Sequence, residues 1–222
     1  MNEKTVAQVL NEVPAFLKKV HGWAPGGESG TTIPGDAGER ARLKRARNGP
    51  EAYAFEATAL LFPAKAGRGE EIGDDDVQRL IGCLAILLAQ VRGEVGQKMA
   101  NDTGEANENR FATVAQSAHK LGEKAGMDKE SGGSPKLARL RFGRMLRTHD
   151  PDRRLRAFRD LLALLGIERQ SDFDRRQLAE IFLRWHQPRV QFAFARGYFA
   201  SRNHEQSIPD THQIQATPES LA

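Results

Sequence analysis

The amino-acid sequence predicts an all-α protein. Its apolar residues recur at spacings of three and four, the period of a helix. Capping and stop residues fall where those apolar stripes begin and end, and no segment alternates apolar with polar as a half-buried strand would.

The first stripe is Val6, Val9, Leu10, Val13, Phe16, Leu17 and Val20, with Pro14 threatening a kink. A Gly/Pro/Ser/Thr-rich loop follows over 22–38, then a short basic helix over 39–47, ended by Asn48-Gly49-Pro50. Pro50 suits the first turn of a further helix carrying Tyr53 to Leu61. Asp74, Asp75 and Asp76 favour the N-terminus of a helix bearing Val77, Leu80, Ile81, Leu84, Leu87, Leu88 and Val91. A modest helix is expected around Phe111 to Leu121. Ser134-Pro135 reads as the start of a helix through Lys136 to Arg147, and Asp150-Pro151 opens the next, with Leu155, Phe158, Leu161, Leu162 and Leu165 on one face and Gly166 as its stop. Ser171 and Asp174 form a capping-box-like start for Leu178, Ile181, Phe182 and Trp185. Pro188 opens a last helix with Val190, Phe192, Phe194, Tyr198 and Phe199 as its apolar residues.

This pattern predicts two small helical bundles joined by a polar, glycine-rich linker. Residues 1–91 form an N-terminal lobe, 92–110 the linker, 111–202 a C-terminal lobe and 203–222 a disordered tail. Seven of the eleven phenylalanines lie after residue 140, so the second lobe should hold the larger core. The 222 residues suffice for one large domain or two small ones, and 39% hydrophobic content supports a real core.

Cysteine usage and hydropathy bound the setting. A lone cysteine, Cys83, excludes an internal disulfide framework and reads as a small core residue. Met1-Asn2-Glu3-Lys4 lacks the layout of a signal peptide, and the longest apolar run, 80–91, is too short to span a bilayer. No membrane association is expected, and the expected compartment is a reducing cytoplasm.

Known enzyme signatures do not occur. No glycine-rich phosphate loop ends in Gly-Lys-Ser/Thr, and the six histidines never recur at metal-ligand spacing on one helix face. His149 beside Asp150 and Asp152 is the nearest thing to a catalytic cluster, but Asp150 is better used as a helix cap. The expectation is a protein that is not an enzyme and needs neither cofactor nor metal.

Charge segregation is the positive signal. The net charge is only +4, yet five of the eight residues 40–47 are basic with no acid among them, and 136–159 holds nine Lys or Arg against two Asp. Such one-sign faces attract a polyanion. On a helical wheel Ala138, Phe142, Met145 and Leu146 form an apolar stripe, while Lys136, Arg139, Arg141, Arg144 and Arg147 occupy the remaining arc. In the first lobe Leu43 and Ala46 face inward, and Arg42, Lys44 and Arg45 point away. Arginine forks suit phosphate oxygens, and no base-reading motif accompanies them, so backbone binding without sequence preference is expected.

The stretch Glu39-Arg-Ala-Arg-Leu-Lys-Arg-Ala46 resembles the short basic helix near the start of the CasB-type small subunit of type I-E CRISPR Cascade. The second half resembles it more fully, through Arg139-Leu-Arg-Phe-Gly-Arg-Met-Leu-Arg147, then 155–165, 178–185 and a closing Arg196-Gly-Tyr-Phe199, over roughly residues 5–200. Each motif is loose, and the specificity lies in their order. The resemblance implies an all-α, two-lobed, non-catalytic subunit, present in two copies beside the other Cascade subunits. It implies contact with crRNA and target DNA and support of the hybrid and displaced strand in the R-loop. Carried over by position, its basic residues fall on Lys44, Arg45, Arg141 and Arg147. Lys120 is carried only through His119-Lys120, where histidine replaces the family's glycine. The central linker and the tail beyond Arg202 exceed what the resemblance explains. The competing readings are a free-standing repressor-like protein using the 136–147 helix for recognition, and a nuclease whose acids have been discounted.

Overall fold

The computed structural model describes residues 3–22, 35–59, 75–91, 107–126, 137–166 and 175–203. Among them every regular element is helical: α1 (Glu3–His21), α2 (Ala37–Arg45), α3 (Gly49–Tyr53), α4 (Glu56–Ala59), α5 (Asp75–Gln90), α6 (Asn107–Gly126), α7 (Arg139–Leu146), α8 (Pro151–Leu165), α9 (Arg175–Leu183) and α10 (Pro188–Asn203). The fold is all-α, as its periodicity requires.

Local chemistry starts and stops these helices. The Asp36, Asn48 and Asp150 side chains each accept the backbone N–H three residues on, which satisfies one orphan donor of α2, α3 and α8. Gly166 closes α8 in the left-handed region at φ 65°, where a side chain would be strained. α1 runs through Pro14, and all seven of its predicted inward residues are buried. The helix expected after Pro50 is two short pieces, α3 and α4, broken at Ala54 and Phe55.

α7 departs from expectation at its start. It begins at Arg139 with Ala138 as an N-cap that offers no side-chain bond, and Ser134, Pro135 and Lys136 lie outside the described residues. Leu137 takes the inward position expected of Ala138, which is exposed. Its backbone N–H donates to Ala125 O at 3.0 Å, and its own carbonyl accepts from the Tyr198 hydroxyl at 2.6 Å. α6 begins at Asn107, inside the stretch expected to be linker; the rest of that stretch and residues 204–222 lie outside the described residues. So do Ser171 and Asp174.

The helices on either side of the central segment pack on one another: α5 lies against α8 and α9, and α1 against α9. Arg184, in the turn after α9, is buried and pairs with Glu180 and with Glu3 at the start of α1. α6 and α10 share the closest face. Gly122 and Gly197 meet the opposing backbone there, since a Cβ on Gly122 would lie 2.0 Å from Phe194 O and one on Gly197 2.0 Å from His119 O. Only glycine permits that approach.

An aromatic cluster joins the C-terminal helices. Phe142 of α7 stacks on Tyr198 with ring centroids 4.1 Å apart, and Phe158 meets Phe182 and Trp185 edge-on. Trp185 is fully buried and its indole N–H donates to Met145 O at 3.0 Å, so its polar edge is satisfied. Each such side chain contributes about 1.5–3 kcal/mol by leaving water. Two aromatics of α10 stay largely outside the core. Phe192 is 75% exposed and Phe199 48%, because Val190, Phe194 and Tyr198 form the inward row.

Candidate nucleic-acid interface

α7 is built to bury one face and charge the other. Phe142 and Met145 are buried, while Arg139, Arg141, Arg144 and Arg147 are all exposed. Residues 137–147 contain no acid, and among the described residues none of these four arginines takes part in an ion pair. Their charge is therefore left to solvent or to an anion. The inward aromatic grip of Phe142 on α10 holds this row in place.

α2 carries the second basic group. Leu43 and Ala46 are buried as expected, Arg42 and Arg45 are exposed, and Lys44 is half-buried. Glu39 tempers this helix: it is buried, accepts the Ala57 N–H at 3.0 Å, and lies 3.6 Å from Arg42. Arg40 turns inward, its Nε donating to Ala89 O at 3.3 Å. Lys120 is exposed on α6, next to a His119–Glu123 pair at 3.6 Å. The groups rest on different supports, α2 on α1 and α5, α7 on α8 and α10.

α8 alters the charge count in both directions. Arg153, Arg156 and Arg159 are exposed and extend the basic surface beyond the residues singled out from sequence; they belong to the same run of nine cations that first marked this region. Arg154 leaves it. Its guanidinium is buried, donates to Phe182 O at 3.0 Å and His149 O at 3.3 Å, and lies 5.6 Å from the centre of the Phe182 ring. Burial lowers its pKa to about 10, with the nearby Asp150 opposing.

The His149 cluster resolves into structure. Asp150 caps α8 and pairs with Arg79 at 3.0 Å, while His149 is exposed. Asp152 accepts from the Gly49 N–H at 3.1 Å, from Arg79 Nε at 2.6 Å and from the Cys83 thiol at 3.3 Å. Burial pushes the Asp152 carboxyl up, but those three donors outweigh it and hold it below the usual carboxylate range. Burial and the Asp152 charge push the Cys83 thiol far above its ordinary value, so it stays protonated and donates. Among the described residues no group of three His, Cys, Asp or Glu could hold a metal ion, and no helix is long and apolar enough to cross a membrane.

The family model for CRISPR-associated protein Cse2 matches residues 39–199, from α2 to the last turns of α10. The chain belongs to the Cse2 family. Cse2 (CasB) proteins are subunits of the type I-E CRISPR Cascade complex. The match is narrower than the expected 5–200: α1 precedes it, although α1 is packed into the fold of this Cse2 chain against α2 and α9. No curated protein and no solved structure matches the chain.

Proposed function

We propose that this Cse2 protein is a non-catalytic small subunit that binds nucleic-acid backbone without sequence preference and stabilises the R-loop of a crRNA-guided complex. The observation that carries the reading is the row of Arg139, Arg141, Arg144 and Arg147, exposed on a helix with no acid to neutralise it. Lys44 and Arg45, with Arg42, supply a second group of cations on α2, and Lys120 and Lys136 complete the set carried from sequence. The exposed arginines of α8, Arg153, Arg156 and Arg159, add three further cations. Guanidinium forks bond phosphate oxygens in pairs but carry no sequence information when they touch only the backbone. The partners are the crRNA, the target DNA, the other Cascade subunits and a second copy of the chain, in the cytoplasm.

R-loop formation is a near-balanced exchange of one duplex for another, so a few backbone contacts can tip it. Oligonucleotide titrations at several salt concentrations test the mode of binding. If about five phosphates of a single strand are neutralised, affinity should fall roughly a hundredfold between 50 and 200 mM salt. A flat salt response contradicts backbone binding. One strongly preferred sequence would instead favour a repressor.

A further inference from the structure

We propose that the outer face of α10 is a stacking platform for unpaired bases of single-stranded nucleic acid, a deepening that rests on the nucleic-acid reading above. Phe192, Arg196 and Phe199 are four and three residues apart, which places them on one helical face about 10 Å long. That face is turned outward because Val190, Phe194 and Tyr198 hold the opposite one in the core. Phe192 is 75% exposed, Phe199 48%, and Arg196 is exposed between them.

A single exposed apolar side chain is ordinary, but two aromatic rings in register around a guanidinium are a more specific arrangement. The Phe199 ring is held in place, edge-on to Phe142 at 5.4 Å and to Tyr198 at 5.3 Å, so its orientation is set before anything binds. Residues 188–203 include no acid, and Glu3, near the start of α10, engages Gln187 and Arg184. Phenylalanine faces accept any base, and an arginine between them can bond the phosphate that links two nucleotides. A purely apolar protein partner fits worse, since it would strip water from Arg196 without offering an acceptor. Duplex fits worse too, because its base faces are already stacked on one another. α7 packs alongside through Phe142, so a strand lying on α10 runs close to the basic row.

The test measures binding of the full-length protein to a mixed-sequence single-stranded oligonucleotide and to the matching duplex, at fixed salt. Phe192→Ala is the main variant, its ring being mostly in solvent; Phe192→Trp keeps a stacking surface. The expected result is a roughly 5- to 150-fold loss on the single strand for F192A. Duplex affinity and salt slope stay unchanged, F192W binds like wild type, and a 2-aminopurine base in the strand is quenched by wild type but not by F192A. Single-strand binding unaltered in F192A, while alanine at Arg141 and Arg147 weakens it, would overturn the platform and leave the backbone reading intact. Loss of self-association or complex assembly in F192A with unchanged oligonucleotide binding would make the face a protein interface and also overturn it. A wild-type protein that binds neither strand nor duplex would sink the backbone reading and the platform together.

Discussion

Asp152, in the first turn of α8, is bonded to Arg79 of α5, whose Nε donates to its Oδ2 at 2.6 Å. The same carboxylate accepts the N–H of Gly49 and the thiol of Cys83, so it joins three elements far apart in sequence. Replacing Asp152 with alanine leaves the buried Gly49 N–H without this acceptor, while Arg79 keeps Asp150. The expected loss is about 1–3 kcal/mol, kept below the value for a fully buried pair because Arg79 is a third exposed. Its pKa is lower folded than unfolded, so the contribution is present above the unfolded value of about 3.9 and is lost as pH falls through the folded one. Urea unfolding of wild type and D152A checks this; equal midpoints would contradict it.

Gly122 and Gly197 make a second contact that tolerates no addition. Alanine at either would press a Cβ into a backbone carbonyl of the facing helix, with α6 or α10 forced to move. The expected cost is about 3 kcal/mol or more, at the upper end of overpacking effects. Gly143 on α7 has nothing within 4 Å of a Cβ position, so Gly143→Ala should stabilise by about 0.5–1 kcal/mol through helix propensity alone. Thermal melts of the three variants separate close packing from backbone preference. Similar behaviour of all three would refute the packing account.

His21 links stability to mild acid. Its ring lies 3.0 Å from Leu88 O, and burial, helped by Arg40, Arg175 and Lys44, lowers its pKa from 6.5 to about 4. The unfolded chain therefore binds this proton first. Stability should be full above about pH 6.5, decline as pH drops toward 4 and level off below, by about 3 kcal/mol for this residue. His186 is shifted down by burial as well and acts in the same direction. Unfolding titrations between pH 7 and 4 should show a shallower decline in His21→Gln than in wild type. Parallel curves would remove His21 as the cause.

Legibility in the sequence followed the range of the physics involved. α8 was readable end to end because its signals are local: Asp150-Pro151 at the start, a stripe from Leu155 to Leu165, and Gly166 at the stop. The start of α7 was not, since Ser134-Pro135 resembles a cap but the helix begins at Arg139. The basic face of α7 was visible because charge and period coincide there. Arg154 was miscounted as a surface cation, although it lies four residues before Phe158 on the inward row. Phe192 and Phe199 count among the apolar residues of the last helix, yet the wheel places them opposite Val190 and so outside the core. The Arg79–Asp152–Cys83 junction is purely tertiary, and no local pattern announces it.

The central claim is that the basic faces hold nucleic acid in a complex that opens DNA. Alanine at Lys44, Arg45, Arg141 and Arg147 removes four cations, three of them exposed and one half-buried. Each charge-assisted bond to phosphate is worth about 1.5–3 kcal/mol, which is large against a near-balanced strand exchange. The decisive measurement is R-loop yield on a matched target, with the complex reconstituted from wild-type or quadruple-variant subunit at physiological salt. The variant should fold, assemble and retain crRNA, yet open clearly less DNA. A variant complex that opens the target as fully as wild type would contradict the account and strip these residues of that role.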